Sequence, residues 1–117
     1  TYFDCAIKKD ILNGKSWLEI IREIIDEMPN DIYISFDIDG LKPYLCPNTG
    51  TPVAGGFEID EIQFLFSEII KAGKNIIGFD LCEVSPGIDN DNDAYFGAQV
   101  LWELSCYTEK SRRNTVK

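Results

Sequence analysis

Apolar positions along the chain follow two periods. Trp17, Leu18, Ile21, Ile24, Ile25 and Met28 recur at the three- and four-residue spacing of a helix face, as do Ile62, Leu65, Phe66, Ile69 and Ile70. The first run carries its own start and stop signals. Ser16 with Glu19 three positions later forms a capping box, and Pro29 ends the helix. The second run stops at Gly73. Residues 32–36 and 75–84 are short runs rich in Ile, Phe and Tyr, bounded by turn formers, and read as buried strands. Residues 40–57 are rich in Gly and Pro and read as a long loop. Residues 94–107 predict a third helix, and 111–117 a polar tail that frays.

Strands that are apolar on both faces and separated by helices predict an α/β fold: a parallel sheet with helices on both sides, three layers in all. Two or three strands are few for such a sheet. Residues 1–117 therefore read as part of one domain, and 1–15 as a lead-in resembling the middle of a protein. No internal repeat or low-complexity linker divides the chain.

Composition narrows the chemistry. The 117 residues carry 20 acidic and 11 basic side chains, a net charge of −9. This argues against a nucleic-acid or anionic-membrane partner, either of which needs clustered Lys and Arg. No histidine is present. That excludes Ser-His-Asp and Cys-His nucleophile pairs and His-ligated zinc within this chain, and leaves carboxylates, thiols, hydroxyls and Lys. Cys5, Cys46, Cys82 and Cys106 are widely spaced, without a C-x-x-C, and read as free thiols in a reducing cytoplasm. No run approaches the ~20 apolar residues of a membrane span.

The residues most suited to chemistry are Asp37 and Asp39, in S-F-D-I-D-G at the end of the first predicted strand. Alternation along a strand would put both carboxylates on one face. They stand at the carboxyl end of a parallel strand, where α/β sheets bind ligands. Two like charges there repel unless a cation joins them, and hard oxygen donors suit Mg²⁺ or Mn²⁺. Two solvated acids at a loop mouth would give the same bare D-x-D.

The flanking sequence adds T-G-T-P at 49–52, Gly55-Gly56, and G-F-D-L-C-E-V-S-P at 78–86. Together and in this order, these motifs resemble the ureohydrolase family of arginases, agmatinases and formimidoylglutamases, from about residue 31 to 104. The resemblance implies an arginase-like fold of which this chain is the carboxyl-terminal part. It implies hydrolysis of a guanidino compound of the arginine or agmatine class through a hydroxide bridging two Mn²⁺ ions. By the same resemblance Asp37 and Asp39 are metal ligands and Glu83 holds the guanidinium group. Thr51 lines the guanidinium end of the substrate, and Asp80 is an acid supporting the metal centre. A homo-oligomer, trimer or hexamer, follows from it as well.

The sequence departs from that pattern at Lys42, where many members carry Asp, and at Asn48, where a small residue is usual. The family's histidine ligands and its remaining aspartate ligands have no counterpart here, so the chain alone is expected to be inactive. F-D-I-D-G-L also resembles the first motif of haloacid-dehalogenase-type Mg²⁺ phosphatases, with Leu41 where a polar residue is wanted. A ureohydrolase-like assembly or regulatory remnant without catalysis is a third reading. D-N-D-N-D at 89–93 has the early spacing of a calcium loop, but Ala94 and Val100 stand where Gly and Glu are required. It reads instead as an acidic surface loop, bordering a substrate entrance, with Asp93 capping the last helix.

Overall fold

The computed structural model describes residues 1–115. In chain order the elements are α1 (Asp4–Leu12), α2 (Trp17–Glu27), β1 (Asp31–Asp37), a 3₁₀ turn (Ile38–Gly40), α3 (Ile59–Lys71), β2 (Asn75–Cys82) and α4 (Asn92–Thr115). The two strands are parallel and adjacent, from Asp31 opposite Asn75 to Asp37 opposite Cys82. A bulge at Ile77 breaks the register between Ile32 and Tyr33. The chain is thus α/β, as the alternating periods predict.

The capping box forms as read. The Glu19 N–H donates to Ser16 Oγ at 3.1 Å and the Ser16 N–H to Glu19 Oε2 at 2.7 Å. α2 then presents Ile21 and Ile25 to Ile69 and Ile70 of α3 and to Ile32 and Ile76 of the strands. A second core joins Ile38, Leu41, Ile62, Phe66, Val100 and Leu104. Ile34, Phe36, Phe79 and Leu81 point into it from the sheet. The Trp17 indole stacks on Phe57 at 5.4 Å and donates to the Glu61 carbonyl, fixing the start of α2 against the start of α3.

Three readings change. Residues 4–12, read as a lead-in, form α1; only Ile7 of it is buried, so its apolar pattern is too thin to announce a helix. The polar stretch from Ser111 does not fray as far as Thr115, because it continues α4; residues 116 and 117 lie outside the described residues. Ser111 is fully buried and its hydroxyl accepts the Ile76 N–H at 3.0 Å, closing an otherwise unpaired strand donor. Finally, the strands are not covered on both faces within this chain. The packed helices lie against one face, and Tyr33, Ser35 and Asp37 of β1 are exposed on the other, paired in register with Gly78, Asp80 and Cys82.

The result is a slab of 48 × 35 × 19 Å with an accessible surface of 7168 Å². A compact monomer of this size would expose about 6,500 Å². The uncovered sheet face, with Tyr33 and Ile77 exposed, is part of that excess.

Candidate active site

The carboxyl ends of β1 and β2 and the loop 41–57 meet at one end of the slab. β1 ends at Asp37, which is exposed, and the next residue turns into the 3₁₀ segment. Ile38 is fully buried there and Asp39 is half-buried. Asp39 is therefore positioned by the turn and not by strand alternation, which corrects the sequence argument for a shared face. The loop is tied at its base by a bridge between Leu41 and Phe57: the Lys42 N–H donates to the Phe57 carbonyl at 2.9 Å, and the Phe57 N–H to the Gly40 carbonyl at 3.0 Å. Gly56 makes this closure possible. Its φ is +89°, and a Cβ would stand 2.6 Å from the Leu41 carbonyl oxygen.

The T-G-T-P turn reaches both strand ends. Thr51 Oγ1 donates to Asp39 Oδ2 at 2.6 Å, and Thr49 Oγ1 donates to the Glu83 backbone carbonyl at 3.1 Å. Glu83 has φ +65°, the left-handed region that costs a non-glycine residue strain, and its side chain is exposed. One loop thus orients a candidate metal ligand and holds the strained backbone of the candidate guanidinium-binding residue.

Asp80 lies on the open sheet face and is held by its neighbours. Ser35 Oγ donates to its Oδ1 at 2.9 Å, and Tyr33 and the Cys82 thiol also donate to it. The Ser35 hydrogen bond leads in lowering the Asp80 pKa below the usual carboxylate range. The Cys82 thiol is pushed up, first by its hydrogen bond to Asp80, then by desolvation and by the charges of Asp80, Asp37 and Glu83. Sequence reading gave Cys82 no part here; register opposite Asp37 is what puts it among the carboxylates.

Lys42 does not stand free at the loop mouth. Its Nζ pairs with Glu58 Oε1 at 2.9 Å, and Tyr44 also donates to that carboxylate. The Tyr44 and Lys42 hydrogen bonds hold Glu58 below its ordinary pKa. Asn48 and Asp93 form a clamp that the sequence did not reveal. Asp93 is fully buried, and its Oδ1 accepts both the Asn48 N–H at 3.0 Å and the Asn48 side-chain amide at 2.9 Å. Asp93 thus fastens the loop to α4, and the expected cap gives way to this cross-link. Of the acidic loop before it, Asp89 and Asp91 are exposed, and among the described residues no group of three or more His, Cys, Asp or Glu is arranged to hold a metal ion.

That finding also bears on manganese. Asp37 and Asp39 offer the hard oxygen donors such an ion takes, and Thr51 orients one of them. Among the described residues no third His, Cys, Asp or Glu side chain groups with them.

Parallel strands with acids at their carboxyl ends, laced together by a T-G-T-P loop, define a candidate site assembled from the strand termini of an α/β fold. The chain belongs to the arginase family, whose model matches residues 6–106. It is 44% identical over 96 residues to a mitochondrial agmatinase of Gallus gallus, covering 79% of this chain and 27% of that protein. It is 44% identical over 89 residues to a guanidinobutyrase of Pseudomonas aeruginosa, covering 74% and 26%. The crystal structure of a hypothetical agmatinase from Burkholderia thailandensis superposes with a TM-score of 0.72 at 28% identity, over 97% of this chain and 37% of that one. The chain spans about a quarter of the length of these curated relatives. A family match that includes the D-x-D segment displaces the phosphatase reading.

Proposed function

We propose that this chain is the carboxyl-terminal part of a manganese-dependent hydrolase of guanidino compounds, of the agmatine, guanidinobutyrate or arginine class. The observation that carries the reading is the double attachment of one loop: Thr51 on Asp39 and Thr49 on Glu83. It couples the Asp39 carboxylate, suited to metal, to the backbone of Glu83, whose side chain is suited to a planar cation. The names of the relatives supply the substrate class.

Asp37 and Asp39 would donate oxygen ligands to the metal pair, which when bound supplies an activated water near neutral pH. Glu83 accepts hydrogen bonds from the guanidinium, whose N–H fork matches a carboxylate. Thr51 fixes Asp39 with a donated hydroxyl. Asp80, tied to Ser35, Tyr33 and Cys82, stiffens the strand end from which Glu83 springs and is a positioning residue.

The complete protein acts as a homo-oligomer in the cytoplasm on this reading, and the isolated chain lacks too many ligands to turn over. Incubating the isolated chain with Mn²⁺ and agmatine, arginine or 4-guanidinobutyrate should give no urea above the blank. Millimolar agmatine should still shift the amide resonances of residues 49–51 and 83, and Glu83→Gln should remove those shifts. Urea release by the chain alone would overturn the inactivity, and agmatine shifts unaffected by Glu83→Gln would overturn the role of Glu83. Hydrolysis of an aryl phosphate with Mg²⁺ would count against the whole reading.

A further inference from the structure

Residues 48–51 of the site loop carry hydrogen bonds to separate parts of the fold. Thr51 reaches Asp39 in the 3₁₀ turn, and Thr49 reaches the Glu83 carbonyl at the exit of β2. Asn48 fastens the same segment to α4: its backbone N–H and its side-chain amide both donate to Asp93 Oδ1, at 3.0 and 2.9 Å. That amide also donates to Asn90 Oδ1 at 3.1 Å and so gathers in the acidic loop before α4. Asp93 is fully buried and Thr49 is 6% exposed, so water competes little for the Asp93 bonds, and they hold more firmly than at a surface. α4 backs the residue after Glu83 as well. Val84 lies over Gly97, where a Cβ would stand 3.1 Å from Val84 Cγ2.

Glu83 needs such support. At φ +65° its backbone lies in the left-handed region, which a non-glycine residue keeps only where its surroundings hold it there. The donor on its carbonyl is Thr49, and Thr49 follows directly on Asn48. We propose, on the guanidino-hydrolase reading, that Asn48 and Asp93 are positioning residues for guanidinium binding, acting through Thr49 on Glu83. With the clamp broken, residue 49 loses its grip, the Glu83 carbonyl loses its donor, and the backbone at 83 is free to leave the left-handed region. Only the fraction still in that conformation offers its carboxylate in place, and the apparent affinity falls by the same fraction. Asn48 stands where a small residue is usual in the ureohydrolases, and a small side chain could not supply this amide, so the clamp is a feature of this chain.

The test titrates agmatine into the full ¹⁵N-labelled chain and reads the amide of residue 83, together with the φ-sensitive coupling between its amide and α protons. Asp93→Ala is expected to weaken agmatine binding about fivefold and to move that coupling away from its left-handed value. Asp93→Asn, which keeps an acceptor oxygen opposite Asn48, should restore both. Thr49→Val should reproduce the loss, and the double variant with Asp93→Ala should lose no more than either single one, because both act at one link. Ser111→Ala, weakened through its bond to Ile76 at the other end of α4, should bind as the unaltered chain does, which separates positioning from a general loss of stability. Asn48→Ala takes the place of Asp93→Ala if that variant does not melt cooperatively, with an expected loss of about twofold. Undiminished affinity in the clamp variants, losses that multiply in the double variant, or an equal loss in Ser111→Ala would each overturn the proposal. If the unaltered chain shows no agmatine shift at residue 83, the guanidinium role of Glu83 fails and the coupling alone decides the clamp: moved by Asp93→Ala it stands, unmoved it falls.

Discussion

At the residue scale the site is held by short polar links, each aimed at one atom. The most consequential is Asp93, buried at the start of α4 with Oδ1 receiving two donors from Asn48 and Oδ2 buried without a hydrogen-bond partner. Asp93→Ala leaves the Asn48 N–H without its acceptor and should destabilise the fold by about 2–3 kcal/mol in urea unfolding. Asn48→Ala keeps the backbone bond and should cost about half as much. The same pair shows what sequence could not reveal. Asp37, Asp39, Thr51 and Glu83 were singled out by motifs that resemble those of the ureohydrolases, whereas Asn48 and Asp93 are 45 positions apart and meet only because the loop folds back on α4. Cys82 escaped notice for the same reason, since its place among carboxylates comes from strand register.

Among the elements, α2, α3 and both strands were legible because their apolar residues keep one period and their ends carry capping or turn residues. Ser16→Ala should lower stability by about 1 kcal/mol through loss of the cap. α1 was not legible, since a nine-residue helix burying one side chain leaves almost no periodic trace. Nor was the length of α4, whose last described turns are polar and read as solvated chain. Ser111→Ala should cost about 1–2 kcal/mol by orphaning the Ile76 N–H. Removing residues 111–117 should lower the melting temperature by several degrees, where a frayed tail would leave it unchanged.

For the molecule as a whole, acid is the first stress to tell. Glu19, Glu58 and Asp80 all titrate below their ordinary values, chiefly through bonds from Ser16, Tyr44 and Ser35 respectively. Groups with depressed folded pKa values contribute stability that is complete above their unfolded values near ~4 and is lost as pH falls through the folded ones. Thermal melts should therefore hold steady from pH 7 to 5 and drop below about 4, and Glu58→Gln with Asp80→Asn should flatten that drop. The slab shape acts on a different axis, temperature. A compact chain of this length unfolds with a heat-capacity increase of roughly 1.4–1.8 kcal/mol/K, nearly all of it from apolar surface newly hydrated. A body 19 Å thick with one sheet face already wet has less to expose. Calorimetry should return a value below that range, and with it a stability curve too flat to show a sharp optimum or cold unfolding within the liquid range of water.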